Sequence, residues 1–129
     1  MTLAGTLLNA ATYTIQDRKN DMDAMAKAMG KIQNGFFYNN FDEVAEGVTT
    51  LSDVIVRVKP PLEEEEEKDP MARYMNQKIK MTNKIIKNIN QKSLTILERF
   101  KDGDSAQALQ AYSKITNQCM ECHREVRKW

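Results

Sequence analysis

The stretch Asp104-Ser105-Ala106-Gln107-Ala108-Leu109-Gln110-Ala111-Tyr112-Ser113-Lys114-Ile115-Thr116-Asn117-Gln118-Cys119-Met120-Glu121-Cys122-His123-Arg124-Glu125-Val126 decides the fold. Ala108, Tyr112, Ile115, Cys119, Cys122 and Val126 recur at alternating four- and three-residue intervals. That is the period of one helix face, so the segment predicts an amphipathic helix with a single core stripe. Gly103 is placed to stop whatever helix precedes it, and Asp104 with Gln107 at the third helical position is placed to start this one.

Working upstream, the same period returns three times. Met75, Ile79, Thr82, Ile86, Ile89, Ser93, Ile96 and Phe100 predict a helix that begins at Asp69-Pro70, an N-cap followed by a proline tolerated in the first turn. Phe41, Val44, Val48, Leu51, Ile55 and Val58 predict another, opened by a capping box between Asn40 and Glu43 and ended by Pro60-Pro61. Ile15, Arg18, Met22, Met25, Met29 and Ile32 predict the first, over about residues 14–34, with Gly35 as its stop. No segment keeps a strand alternation. Four amphipathic helices with two short loops and one longer one predict an all-α, antiparallel up-down-up-down four-helix bundle, occupying residues 14–129 after an N-terminal segment at residues 1–13.

Both cysteines and the only histidine of the chain fall in Cys119-Met120-Glu121-Cys122-His123, the C-x-x-C-H pattern of covalent haem attachment. The chemistry needs two thiols spaced to meet two vinyl groups and an imidazole beside the second thiol to ligate iron. On a helix all three project from one face. A thioredoxin-like redox pair would want a βαβ setting, a structural zinc site a fourth ligand, and a plain disulfide would leave His123 unexplained. The expected cofactor is therefore one covalent c-type haem in the bundle core, with Cys119 and Cys122 as attachment points and His123 on the iron.

Charge excludes other classes. The chain has 129 residues and a net charge of +1, which gives no general attraction to nucleic acid. Its mean hydropathy is negative, and it has no run of about 20 apolar residues, so it is not expected to span a membrane. The distribution is uneven: residues 41–68 carry nine acidic and three basic side chains, whereas residues 69–102 carry eight basic and three acidic. Such asymmetry can orient a docking partner, or it can be the solvated glutamate run at residues 63–67 and the solvated lysines Lys78, Lys80, Lys84 and Lys87. Residues 1–11 read either as the tail of a secretory signal lacking its basic region or as a plain terminus. There is no nucleophile-and-base constellation and no glycine-rich phosphate loop, so no enzyme is expected.

A C-terminal C-x-x-C-H on the last helix of an all-helical chain of this size resembles the class II c-type cytochromes, the cytochrome c-prime and low-spin c-556 group. The resemblance spans nearly the whole chain. His123-Arg124-Glu125-Val126-Arg127 places an arginine four residues after the ligand, as members commonly do, and Arg127 would then pair with a haem propionate. Along the first helix, Arg18, Met22, Met25, Met29, Gly30 and Ile32 are similar to the family pattern, in which the residue matching Met22 faces the iron. By spacing alone Met22, Met25 and Met29 are equivalent; the resemblance singles out Met22. It implies a periplasmic, six-coordinate His/Met electron carrier, monomeric or homodimeric, exchanging electrons with redox partner proteins. The alternative it allows is a five-coordinate haem protein that binds nitric oxide or carbon monoxide.

Overall fold

The computed structural model describes residues 13–58 and 68–127, and the side chains of residues 73–75 and 127 lie outside that description. The signal-like residues 1–11, the Pro60-Pro61 stop and the glutamate run at residues 63–67 therefore lie outside the described residues, as does the side chain of Arg127. Every regular element among the described residues is helical: α1 Ile15–Phe37, α2 Phe41–Ile55, α3 Pro70–Met75, α4 Gln77–Lys101, α5 Ser105–Glu121, then a π-helical segment, Cys122–Arg127. The chain is all-α, and no described helix is long and apolar enough to cross a membrane.

Each helix starts where a side chain can satisfy its open N–H groups. Thr14 Oγ1 accepts from the Asp17 N–H (3.0 Å) while the Thr14 N–H donates to the Asp17 carboxylate (2.9 Å), a complete capping box for α1. Those two bonds hold the Asp17 carboxyl below its ordinary range. Asn40 caps α2 through the Glu43 N–H (3.2 Å). Asp104 caps α5 through the Gln107 N–H (3.0 Å), directly after Gly103 turns the chain at φ 81.

Three boundaries differ from the sequence expectation, and in one of them α2 ends at Ile55, short of Val58, which stays buried beyond the helix. Gly35 does not stop the first helix, which runs on to Phe37 and turns at Asn39, whose φ is 50. Gly35 serves close approach instead: a Cβ there would meet Val44 Cγ2 at 2.5 Å, and one on Gly47 would meet Ile32 Cγ1 at 2.6 Å. The expected single helix after Asp69 is divided at Asn76, whose Oδ1 accepts from the N–H groups of Lys78 (2.8 Å) and Ile79 (3.2 Å) and so caps a new helix, α4. An asparagine side chain that competes for backbone donors interrupts a helix in this way.

The pairs Asp21 with Arg57, Ile32 with Gly47 and Gly35 with Val44 descend on one helix as they ascend on the other, so α1 and α2 are antiparallel. Close backbone packing continues from α2 to α4 and from α4 to α5, with the π-helical segment against α4. Ile32, Val44, Leu51, Ile96 and Ile115 are fully buried along this core, each contributing about 1.5–3 kcal/mol of apolar burial. The two hydroxyls inside it, Thr82 and Ser93, donate to the carbonyls of Lys78 and Asn90 at 2.8 Å, which lets polar residues occupy the α4 stripe without an unmet bond. At one end Phe36 packs at a tilt against Phe100 and edge-to-face against Tyr112, and the Tyr112 hydroxyl donates to the Met29 carbonyl (3.1 Å), tying α5 to α1.

Candidate functional site

Cys119 leaves α5 on the stripe that carries Ala108, Ala111 and Ile115 into the core. The helix changes from α to π at Cys122, so the backbone bonds that follow reach five residues instead of four. Cys122 and Val126 remain buried through this change, while Cys119 and His123 are half-buried. Such widened turns are frequent at functional sites because they re-aim side chains that a regular helix would hold in line.

Facing this segment, α1 supplies Met22, half-buried, and Met25, buried. Together with Cys119, Cys122 and His123 they line one cavity of about 30 Å³, completed by aliphatic side chains from the end of α2 and from α4. The cavity thus brings together four of the residues expected at the site, Cys119, Cys122, His123 and Met22. Met29 lies outside it, on the seam where its carbonyl takes the Tyr112 hydroxyl. Spacing alone leaves three methionines equivalent; the cavity separates Met22 and Met25 from Met29.

The surroundings set the chemistry. Cys119 and Cys122 are thiols and form no disulfide. Burial, helped by the neighbouring Cys122, pushes the Cys119 thiol up to about 11, so it is protonated at neutral pH. Burial likewise raises the Tyr112 hydroxyl, with Cys119 as the lesser cause. Among the described residues no group of three His, Cys, Asp or Glu side chains converges as a metal cage. The cavity offers one imidazole, two thiols and two thioethers, with the Thr82 hydroxyl beside them already committed to the Lys78 carbonyl.

Next to Met22 along α1, Asp21 anchors an ionic cluster that the sequence stripe does not single out. Asp21, 8% exposed, accepts from the Tyr13 hydroxyl (2.8 Å) and from Arg57 Nη2 (3.3 Å), joining the start of α1 to the chain just beyond α2. Arg18, expected on the inner stripe, lies over the Tyr13 ring at 5.9 Å, and Ile15 is 60% exposed. The buried line of α1 is Asp21, Met25, Ala28, Ile32 and Gly35, which keeps Met25 and Ile32 of the expected stripe and has Asp21 and Ala28 in place of Met22 and Met29. An acidic residue and two small ones disguise it in the sequence, although its four-three spacing is regular.

No protein-family model matches the chain, and no curated protein or solved structure is significantly similar to it. The functional argument therefore rests on the residues themselves.

A c-type haem matches the donor set. Two thiols three residues apart would suit two vinyl groups, His123 would hold the iron, and the thioether of Met22 or Met25 would be available as a further sulfur ligand. The cavity itself is far smaller than the 300 Å³ or more of a cofactor pocket. Two of its walls are nevertheless Met22 and Met25, the most adaptable of apolar side chains.

Proposed function

We propose that this chain is an electron-transfer protein carrying one covalent c-type haem, a class II c-type cytochrome in which the long helices α1, α2, α4 and α5 form an antiparallel up-down-up-down bundle around the cofactor. The observation that carries the proposal is the convergence of Cys119, Cys122, His123, Met22 and Met25 on a single largely apolar cavity. When bound, the haem supplies a one-electron Fe(III)/Fe(II) couple. Cys119 and Cys122 would each add S–H across a vinyl double bond, sulfur to one carbon and hydrogen to the other, which needs no oxidant. His123 would hold the iron on the α5 side and Met22 on the α1 side, the thioether raising the reduction potential and occupying the position a gas would take. Ile55, Val58, Ile85 and Ile89 exclude water from that volume. Haem attachment of this type implies the periplasm, and redox proteins as partners.

The test is to produce the full chain through a secretory route that attaches c-type haem. Acid-acetone extraction should leave the haem on the polypeptide, and the Cys119→Ala, Cys122→Ala double variant should release it. Recovery of haem-free protein of native mass from that route would overturn the proposal. A reduced spectrum with sharp α and β bands marks the six-coordinate electron carrier. A broad high-spin spectrum with rapid carbon monoxide binding would replace it by the gas-binding alternative.

A further inference from the structure

Asp21 is the one charged side chain buried among the described residues. An apolar side chain there would continue the inner line of Met25, Ala28 and Ile32 without the cost of taking a charge out of water. The carboxylate is instead held at both oxygens: Oδ2 accepts from the Tyr13 hydroxyl (2.8 Å) and Oδ1 from Arg57 Nη2 (3.3 Å). Neither partner belongs to a helix. Tyr13 precedes the Thr14 cap of α1, and Arg57 follows α2, where its N–H donates to the Val54 carbonyl at 2.9 Å. The Arg57 side chain is 61% exposed, so the ion pair adds little attraction of its own. What two directional bonds on separate oxygens supply is an orientation, the best-attested use of a polar group placed in a core.

That orientation acts on the half of α1 that carries the thioethers. Farther along, α1 is keyed to α2 by the close approaches of Gly35 to Val44 and of Gly47 to Ile32. Met22 and Met25 fill space in many rotamers and select no single rotation of the helix. Successive residues of a helix are about 100° apart around its axis, so holding Asp21 toward Arg57 fixes the direction of Met22 as well. Arg57 in turn stands between Ile55 and Val58, which line the same cavity as Met22. We propose that Asp21 is a positioning residue: it pins the rotation of α1 against the end of α2 and so aims the Met22 sulfur into the cavity, where it would reach the iron. Asp21 does not line the cavity and acts through Met22, a role that rests on the electron-carrier assignment made above.

The test compares two substitutions in the haem-bearing full chain, both made in Met25→Leu, which leaves Met22 the only thioether of the cavity. Asp21→Leu keeps the branched shape and removes both bonds. Asp21→Asn keeps them in neutral form, the amide oxygen accepting from Arg57 and the amide nitrogen donating to the Tyr13 oxygen. In Asp21→Leu the fraction of iron that is high-spin and binds carbon monoxide should rise at least tenfold, with a matching loss of the Fe(III)–sulfur charge-transfer band. It should stay at the parent level in Asp21→Asn and in Asp23→Leu, which breaks only the exposed pair with Lys27. A lower denaturant midpoint for Asp21→Leu with the band intact would make the cluster merely structural and overturn the proposal, leaving the electron carrier standing. Should Asp21→Leu fail to fold, Tyr13→Phe and Arg57→Gln each remove one bond from outside the helix and should each raise the same fraction at least threefold; no change in either overturns the proposal too. A second readout needs no haem. In the full chain labelled at its methionine methyls, Met22 should give one resonance with cross-relaxation to the cavity isoleucines, and several exchanging resonances in Asp21→Leu. A single unchanged resonance there overturns the pin. A chain that takes up no haem yet shows this change sinks the electron carrier while the pin on α1 stands.

Discussion

The two ends of α1 meet their neighbours by opposite means. Toward its C-terminus, Gly35 and Gly47 remove two side chains so that α1 and α2 lie in backbone contact, with no space left at either Cβ. Toward its N-terminus, Met22 and Met25 line a small cavity together with Cys119, Cys122 and His123. One seam is set by backbone shape and admits one arrangement. The other is built from flexible thioethers that can repack around an inserted group. The haem proposed above would enter at the second seam, and the division along one helix would leave the rigid seam undisturbed.

The largest effect is expected at the rigid seam. Ile32→Ala removes a side chain with no exposure that touches Gly47, and the surrounding backbone cannot collapse onto the gap. It should cost about 2–5 kcal/mol, and Gly47→Ala, which forces a methyl toward Ile32 and the Ala28 carbonyl, about 1–3 kcal/mol. Denaturant midpoints measure both. If either substitution is neutral, the glycine seam is not the rigid half of the molecule.

Next comes a pH effect confined to the yielding seam. The Cys119 thiol is raised from an ordinary 9.0 to about 11 by burial, so the folded chain favours the protonated form. That contribution is fully present below pH 9 and is lost as pH rises through 11, on the order of 2 kcal/mol in all. The haem-free chain should therefore lose stability over this window. Cys119→Ala should flatten the slope, while Tyr112→Phe serves as the control for the tyrosine that titrates beside it. With the sulfur bound as a thioether there is no thiol to titrate, so the slope should also be absent from the haem-bearing protein. A slope unchanged by Cys119→Ala would show that the thiol is not held in an apolar wall.

The same contrast explains what the sequence made legible. Helix number along most of the chain, the seam Val44, Val48, Leu51, Ile55 and Val58, and the start of α5 at Asp104 follow from periodicity and capping, which act within a few residues. Gly35 is ambiguous because a glycine that permits close approach and one that ends a helix are identical in sequence; only Val44 across the seam tells them apart. The break at Asn76 is hidden in the sequence because its capping bonds compete with an otherwise unbroken stripe. The burial of Asp21 is not legible in the sequence because a buried carboxylate is recognisable only with Tyr13 and Arg57 in view, and Arg57 is distant in the chain. At the site, Cys119, Cys122 and His123 announce themselves by adjacency. The choice among Met22, Met25 and Met29 depends on where α1 sits against α5, which no local pattern contains.

The smallest stability effect should carry the largest functional one. Met22→Leu keeps the volume and apolar character of a half-buried side chain at the adaptable seam, so it should cost less than about 1.5 kcal/mol. It removes the only atom of that residue able to bind iron. In the haem-bearing protein the weak charge-transfer band of Fe(III)–sulfur bonding should disappear, the reduction potential should fall, and carbon monoxide should bind. Met25→Leu, its neighbour in the cavity, should leave the band in place. A band lost in Met25→Leu and kept in Met22→Leu would move the ligand one turn along α1 while preserving the seam. Loss of stability in Met22→Leu comparable to that of Ile32→Ala would instead show that the two seams are equally rigid.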